Sequence, residues 1–175
     1  MPGIDEALFF RPLGFALLTV SDTRTPEDDK SGDYLANGLE TAGHALRARG
    51  IVKDKISAIS AQVKRWSEDS EIDVILTTGG TGLTGRDVTV EAVAPMFDKT
   101  LDGFSALFHT MSFATIGLAT LQSRACAGLI NGTFVFCLPG STGAVKQAWD
   151  DIISGALDSR YRPSSLVDLM SRLME

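Results

Sequence analysis

Short apolar runs alternate along the chain with stretches in which apolar residues recur every three or four positions. Continuous apolar runs bounded by turn residues predict buried strands at 13–20, 74–76 and 134–138. A weaker strand that carries exposed arginines is predicted at 44–52. Helical spacing predicts helices at 31–41, at 103–113, at 144–157 and after Asp54, whereas residues 115–130 are ambiguous. Strands that alternate with helices predict an α/β fold.

Three polar residues stand where predicted helices begin, and each can accept a hydrogen bond from a first-turn N–H group. They are Ser31, Asp54 and Thr89. Gly43 follows the first of these helices and is predicted to end it. We therefore expect all three polar side chains to act as helix caps.

The most distinctive local pattern is a glycine-rich loop that directly follows the predicted strand 74–76. Four glycines fall within seven positions, at Gly79, Gly80, Gly82 and Gly85. Because glycine has no Cβ, a ligand can approach the main-chain N–H groups of such a loop closely. Strand, loop and following helix N-terminus together predict an anion site, and hence a protein that handles phosphates. Arg86-Asp87 at the end of the loop adds a cation and a potential metal ligand.

Polar, glycine-containing loops follow each of the three buried strands. These loops are Ser21-Asp22, residues 78–87 and Pro139-Gly140-Ser141. In an open, largely parallel sheet, ligands bind beyond the carboxyl ends of the strands, where the strand order switches. We therefore expect the three loops to form a single crevice.

The glycine-rich loop does not fully match either of two familiar phosphate-binding motifs. Residues 80–85 match G-x-G-x-x-G, but a dinucleotide fold requires an acidic residue about 20 positions further on, at the end of the next strand. Asp98 and Asp102 lie near that distance, yet residues 89–113 contain no strand-like run to present them. A P-loop requires Gly-Lys-Ser/Thr, whereas Gly85 is followed by Arg86.

Length, charge and cysteine content narrow the function classes. The 175 residues suit one domain, which we place at 13–175 after an N-terminal segment 1–12. A net charge of −6 argues against nucleic acid as a partner and requires that local donors meet any anionic substrate. We expect no apolar run close to the ~20 residues of a membrane span and no secretory signal. With Cys126 and Cys137 interpreted as reduced packing residues, the expected location is the cytoplasm.

Several motifs resemble the MoaB/Mog family of molybdenum cofactor biosynthesis proteins. They are Thr77-Thr-Gly-Gly-Thr-Gly82, Arg86-Asp87-Val-Thr and Leu138-Pro-Gly-Ser141, within a likeness that covers about residues 13–157. The resemblance is strongest to the B-type bacterial members. It implies a three-layer α/β sandwich, a mostly parallel sheet with helices on both faces. It also implies adenylylation of molybdopterin by Mg-ATP, which gives adenylyl-molybdopterin and pyrophosphate, in a homotrimer or a hexamer.

Two departures from the family pattern bear on activity. Thr89-Val-Glu91 replaces a common Thr-Pro-Glu, and Thr142-Gly143 follows the Pro-Gly-Ser loop where proline is frequent. Some B-type members lack Arg-Asp-Val-Thr, so a non-catalytic molybdopterin-binding or carrier protein is the alternative to a nucleotidyltransferase. The intact Asp54, Arg86 and Asp87 favour the enzyme.

The chemistry of the proposed reaction requires a divalent cation. A helix N-terminus supplies only ~0.5 of an elementary charge, and Mg²⁺ prefers one or two carboxylates together with substrate phosphates and waters. We assign Asp54, Arg86 and Asp87 as catalytic, with Asp87 and Asp54 as the magnesium ligands. The expected molybdopterin- and nucleotide-binding residues are Ser21, Asp22, Ser31, Gly79, Gly80, Thr81, Gly82, Glu91, Ser123, Arg124, Pro139, Gly140 and Ser141.

Each of these assignments has a structural alternative. Asp54 could cap a helix, and Asp87 could order its own loop through an Asx turn. Glu91 could complement the dipole of its helix, and Arg86 could pair with a neighbouring carboxylate. Arg124 could clamp a phosphate or brace the sheet.

Overall fold

The computed structural model describes residues 1–175 and contains eight strands and six α-helices. The strands are β1 (Gly3–Ile4), β2 (Gly14–Val20), β3 (Ala45–Val52), β4 (Val74–Thr78), β5 (Lys99–Thr100), β6 (Cys126–Ile130), β7 (Thr133–Leu138) and β8 (Tyr161–Arg162). The helices are α1 (Lys30–Thr41), α2 (Ile56–Ser67), α3 (Thr89–Val93), α4 (Asp102–Ile116), α5 (Thr142–Ala148) and α6 (Ser154–Ala156). A π-helical turn, Trp149–Ile153, joins α5 to α6.

Six strands form the central sheet in the order β3-β2-β4-β7-β6-β5. The first four are parallel, whereas β6 and β5 are antiparallel additions at one edge. The chain passes from β2 through α1 to β3, and then returns through α2 to β4 on the other side of β2. The strand order therefore switches between β2 and β4, which is where ligands bind in open sheets of this type.

Alternate residues of the central strands enter two separate cores, one on each face of the sheet. Leu17, Leu76 and Phe136 pack on one face with side chains of α1, α4 and α5. Leu18, Ile75 and Val135 pack on the other face with α2 and α3. Because both faces are covered, the strands are apolar without interruption, as parallel strands require. The expected three-layer α/β sandwich is confirmed.

The three expected helix caps are wrong. Asp29, not Ser31, caps α1: its carboxylate accepts a hydrogen bond from the N–H of Gly32, and Ser31 lies inside the first turn. Helix α2 begins at Ile56 without a side-chain cap, and so does α3, in which Thr89 is the first helical residue. The hydroxyls of Ser31 and Thr89 instead donate to the carbonyls of Gly140 and Gly79, which belong to other parts of the chain.

The region between α3 and β7 differs most from the sequence-based expectation. The ambiguous residues 115–130 contain the end of α4, a 3₁₀ segment (Gly117–Gln122) and β6. A two-residue strand, β5, lies within residues 89–113, where no strand was expected, but it is antiparallel to β6 and so does not continue the parallel order of a dinucleotide fold.

The segment Asp102–Gln122 is long and apolar enough, by length and composition, to cross a membrane. The expectation that no apolar run approaches that length is therefore wrong for this segment. Phe104 and Phe108 of the same segment pack into the sheet core, although only 22% of the apolar stretch is buried. Length and composition alone are thus weak evidence for a span here.

Candidate active site

The carboxyl ends of β2, β4 and β7 meet at one edge of the sheet, as their parallel order requires. Thr78 donates a hydrogen bond from Oγ1 to the carbonyl of Pro139 over 2.9 Å, and the N–H of Gly79 donates to Leu138 O over 3.0 Å. A Cβ built on Gly140 would lie 3.3 Å from Gly79 Cα, so the two loops touch through their backbones. The sequence prediction of one shared crevice agrees with this geometry.

The start of the glycine-rich loop turns sharply against β2. Gly79 and Gly80 have φ of 103° and 68°, which other residues rarely adopt. A Cβ on Gly79 would clash with the carbonyl of Val20, and one on Gly80 would clash with Thr89 Oγ1. The loop therefore requires glycine at both positions to lie this close to its neighbours.

Main-chain N–H groups on both loops remain free of protein acceptors. Those of Gly80 and Thr81 make no hydrogen bond within the protein, and neither do those of Gly140 and Ser141. These groups border a cleft of about 360 Å³ between the glycine-rich loop, the 139–141 loop and the end of α4. The lining includes Gly82, Asp87, Pro139, Phe108, Ser112, Ile116, Thr120 and Ser123. Unpaired N–H groups around a cleft suit the oxygens of an anion.

Three carboxylates, Asp22, Asp54 and Asp87, lie beside the cleft. The N–H of Asp54 donates to Asp22 Oδ1 over 3.3 Å, and Asp54 Oδ1 would lie 3.4 Å from a Cβ built on Gly80. Burial, and then the negative charge of Asp87, raise the pKa of Asp54 above its ordinary value. Asp54 thus faces both the glycine-rich loop and a second carboxylate.

Asp87 orders its own loop, which is the structural alternative weighed for it. Its Oδ2 accepts hydrogen bonds from Thr84 Oγ1 over 2.6 Å and from the N–H of Thr84 over 2.9 Å. These bonds, led by the hydroxyl, hold the pKa of Asp87 below its ordinary value, so the carboxylate is ionised. No other side chain donates a hydrogen bond to Oδ1, which leaves it able to bind a ligand.

Arg86 forms an ion pair with Asp22 across the crevice. Its side chain is 75 % exposed, so the pair contributes little to stability and can open when an anionic ligand arrives. The structure thus shows the expected pairing of Arg86 with a carboxylate, whereas its role toward phosphate stays a prediction.

Arg124 braces the glycine-rich loop. Its guanidinium donates to the carbonyls of Gly82 over 2.9 Å and of Asp87 over 3.0 Å, and it forms an ion pair with Glu91. Hydrogen bonding to Arg124 in turn holds the pKa of Glu91 below its ordinary value. Arg124 and Glu91 thus position the loop through their bonds to its carbonyls and to each other.

The 139–141 loop is held from the opposite side by α1 and the residues before it. The Gly140 carbonyl accepts hydrogen bonds from Arg24 over 2.8 Å and from Ser31 Oγ over 3.0 Å. Ser141 caps α5 by accepting a hydrogen bond from the N–H of Ala144. Ser31 therefore belongs to the site through Gly140, although it is not the cap that was expected.

Sequence reasoning missed Arg24, and it did not anticipate that Asp29, considered as a possible substrate contact, is fully buried. Asp29 accepts hydrogen bonds from Thr19 Oγ1 over 2.7 Å and from Arg49 over 2.9 Å, and Arg24 lies 3.6 Å from it. Arg24 also lines a second, larger pocket of about 630 Å³ between the loop after β2 and the edge strand β3. Its lining is Ser21, Asp22, Arg24, Thr25, Pro26, Arg49, Gly50, Ile51, Val52 and Lys53. No local pattern marks this pocket, because its two walls come from separate parts of the chain.

The chain matches a known protein family over most of its length. Residues 16–159 match the family described as "Probable molybdopterin binding domain". The chain belongs to this family. It is 48% identical over 154 residues to molybdenum cofactor biosynthesis protein B of Escherichia coli (strain K12), which covers 88% of this chain and 91% of that protein.

Solved structures of similar proteins share the fold of this chain. A crystal structure of molybdenum cofactor biosynthesis protein B superposes with a TM-score of 0.84 at 39% identity, covering 93% of this chain and 96% of that one. The tungsten cofactor synthesizing protein MoaB from Pyrococcus furiosus superposes with a TM-score of 0.71 at 37% identity, covering 81% and 91%. The expected MoaB/Mog resemblance is thereby confirmed.

Magnesium, which the family resemblance implies, fits the donor chemistry of this crevice. No group of three or more His, Cys, Asp or Glu side chains is arranged to hold a metal ion by itself. Mg²⁺ does not require such a group, because it takes one or two carboxylates and completes its shell with phosphate oxygens and water. Asp54 and Asp87 form a pair of this kind, since burial and then the charge of Asp87 raise the pKa of Asp54.

Proposed function

We propose that this protein acts in molybdenum cofactor biosynthesis as a nucleotidyltransferase that adenylylates molybdopterin with Mg-ATP. The observation that carries the proposal is the pair Asp54 and Asp87 beside a glycine-rich loop with free N–H groups. Carboxylates next to an anion site repel phosphates unless a cation intervenes. A crevice built only to bind an anionic pterin would gain nothing from the two acids.

The reaction requires orientation and charge neutralisation more than proton transfer. The terminal phosphate of molybdopterin has a second pKa of about 6 and is mostly ionised at neutral pH, so no general base is needed. It attacks the α-phosphorus of ATP, the new P–O bond forms, and pyrophosphate leaves in line. The N–H groups of Gly80, Thr81, Gly140 and Ser141 hold phosphate oxygens, and Arg86 moves from Asp22 to the developing charge.

Asp87 and Asp54 hold the magnesium ion in this proposal. The ion, when bound, supplies the positive charge that neutralises phosphate oxygens on ATP and on the leaving pyrophosphate. Thr84 fixes Asp87 through Oδ2 and leaves Oδ1 for the metal. The backbone N–H of Asp54 donates to the carboxylate of Asp22. This hydrogen bond connects the metal ligands with the loop after β2.

The two pockets divide the substrates. The cleft between the glycine-rich and 139–141 loops takes the nucleotide, because its lining combines free N–H groups with the apolar Phe108 and Ile116. The larger pocket beside β3 takes the pterin end of molybdopterin. Lys53 and Arg24 in its lining supply positive charge for this anionic substrate. Ser21 and Asp22 lie at this pocket's edge, next to the crevice. In a protein with a net charge of −6, these cations are the local donors that an anionic substrate requires.

A homotrimer or a hexamer is part of the proposal. Leu118 and Leu121 on the 3₁₀ segment after α4, together with Phe113 and Ile116, are large apolar side chains that are more than half exposed. Such a patch supports association of copies of this chain. Sedimentation of the wild type and of a Leu118→Asp variant tests it: the wild type should sediment as a trimer or larger, and the variant as smaller species. The expected place of action is the cytoplasm, where ATP is available.

Pyrophosphate release tests the reaction directly. The protein is incubated with molybdopterin, ATP and Mg²⁺, and pyrophosphate and adenylyl-molybdopterin are measured together. The proposal expects both products in equal amounts and neither when EDTA is present. If molybdopterin binds but no pyrophosphate forms, the protein is instead a molybdopterin-binding or carrier protein, the role that the family description alone supports.

A further inference from the structure

The two cysteines of the chain lie directly opposite each other on neighbouring strands. Cys126 of β6 pairs with Cys137 of β7 in the antiparallel register. Directly opposed residues of antiparallel strands have side chains on the same face and Cα atoms about 4.5–5.5 Å apart. A disulfide spans Cα separations of about 4.4–6.8 Å. A bond between these sulfurs therefore needs no change of strand register.

The environments of the two thiols are unequal in a way that suits stepwise oxidation. Cys137 is fully buried, whereas Cys126, the first residue of β6, is partly exposed. Hydrogen bonding from Cys137, and then the charge of Arg124, lower the pKa of Cys126, while the same contact and burial raise the pKa of Cys137. Thiolate character and access together determine which cysteine an oxidant attacks first. Both criteria select Cys126.

We propose that Cys126 and Cys137 form an oxidation site, at which a hydroperoxide converts the two thiols reversibly into an intramolecular disulfide. The Cys126 thiolate attacks the peroxide, the O–O bond breaks, and a sulfenic acid forms while the leaving oxygen departs protonated as water or an alcohol. The Cys137 sulfur then attacks Cys126, the S–S bond forms, and the displaced hydroxide takes the Cys137 proton as water. Two electrons pass from the two thiols to one peroxide.

The position of the pair connects it with the crevice. Arg124, which braces the glycine-rich loop, precedes Cys126 by two residues, and Pro139 follows Cys137 by two. The 139–141 loop and the residue that braces the glycine-rich loop are therefore attached to the strand ends that the disulfide would join. In a reducing compartment a disulfide of this kind is transient and serves redox sensing.

The test is a count of thiols on the folded protein. Reduced protein is treated with hydrogen peroxide, quenched, unfolded and analysed by intact mass and by alkylation of free thiols. The expected result is the loss of two hydrogen atoms from one chain and of both free thiols, with full reversal by dithiothreitol. Peptide mapping should find Cys126 joined to Cys137.

Matched variants keep the result falsifiable. Cys126→Ser should retain one thiol that peroxide scarcely touches, whereas Cys137→Ser should accumulate oxygen atoms on Cys126 because no resolving thiol remains. If Cys137→Ser does not fold, Cys137→Ala is used in its place. Two free thiols after treatment of the wild type, added oxygen without a disulfide, or disulfide-linked dimers would each overturn the proposal. Molybdopterin and ATP are absent from the assay, so its outcome is independent of the proposed transferase activity.

Discussion

Thr89 donates a hydrogen bond from its hydroxyl to the carbonyl of Gly79 over 2.8 Å, and both groups are buried. This bond, not a helix cap, is the role of Thr89. Thr89→Val keeps the shape but leaves the Gly79 carbonyl without its donor, which costs about 1–3 kcal/mol. We expect the free energy of unfolding to fall by that amount in urea titrations.

A serine control separates the hydrogen bond from the packing of Thr89. Thr89→Ser retains the hydroxyl and loses only a methyl group, so it should unfold within about 1 kcal/mol of the wild type. A loss in Thr89→Ser with Thr89→Val as stable as the wild type would mean that the methyl group, and not the bond to Gly79, is what matters at this position.

Gly80→Ala should damage the crevice far more than Gly85→Ala. Gly80 has φ of 68°, and a Cβ there would clash with Thr89, whereas a Cβ on Gly85 would meet nothing within 4 Å. We expect Gly80→Ala to lose about 1–3 kcal/mol of stability through backbone strain and to bind Mg-ATP much more weakly in calorimetry. Gly85→Ala is the matched control and should resemble the wild type in both measurements.

Asp87→Asn should abolish pyrophosphate release while the protein remains folded. Asparagine can still accept a hydrogen bond from Thr84, so the loop persists, but the substitution removes the negative charge that holds the cation in the proposed mechanism. Turnover is followed by pyrophosphate release and folding by thermal unfolding. The control Asp151→Asn changes an exposed carboxylate in the π-helical turn before α6 and should be fully active. Near-normal turnover in Asp87→Asn would remove Asp87 from the mechanism.

Arg124→Lys tests whether Arg124 positions the glycine-rich loop. Lysine keeps the charge but cannot reach the carbonyls of Gly82 and Asp87 and the carboxylate of Glu91 together. We expect the KM for ATP to rise several-fold with a smaller change in kcat, and the free energy of unfolding to fall by about 1–3 kcal/mol. Arg172→Lys, in an exposed pair with Glu175, serves as the control and should change neither. An unchanged KM would show that the brace does not shape the nucleotide cleft.

Protonation of His44 should destabilise the protein in mild acid. Burial lowers the pKa of His44, and the carboxylates of Asp158 and Asp73 offset this only in part. Below the unfolded pKa of about 6.5, the unfolded chain therefore binds a proton that the folded chain does not. Stability is complete above that pH and decreases as the pH falls toward the lowered folded-state pKa.

The measurement is the Tm of the wild type and of His44→Gln between pH 7 and about pH 5. The wild type should lose more stability over this interval than His44→Gln, because only the wild type carries the buried titrating ring. Parallel curves for the wild type and His44→Gln would contradict the assignment.

The layered fold was predictable because its signal is local and repeated. Runs such as 74–76 and 134–138 are apolar on both strand faces, and this pattern arises when helices cover both sides of a sheet. The meeting of Asp22, Gly79 and Ser141 was also predictable, because parallel strands bring their carboxyl ends to one edge. Neither inference needed the position of any single side chain.

The side-chain contacts of the site were not predictable in the same way. Arg124 and Glu91 are 33 residues apart, and Arg24 reaches Gly140 across 116 residues. A polar residue next to a helix start has the same local pattern whether it caps the helix or bonds elsewhere, so Thr89 was misassigned. Tertiary contacts decide between the two roles, and the spacing of residues in the sequence does not show which contacts form.

The anchoring of the glycine-rich loop has a consequence for how ligands are recognised. Thr89, Arg124 and the backbone of Gly140 fix this loop from three directions before any ligand is present. The entropy of ordering the loop is thus lost during folding, and association needs to immobilise only the incoming molecule. Such a rigid receptor distinguishes ligands by fit, and it should reject a molecule whose phosphate spacing differs instead of adapting to it.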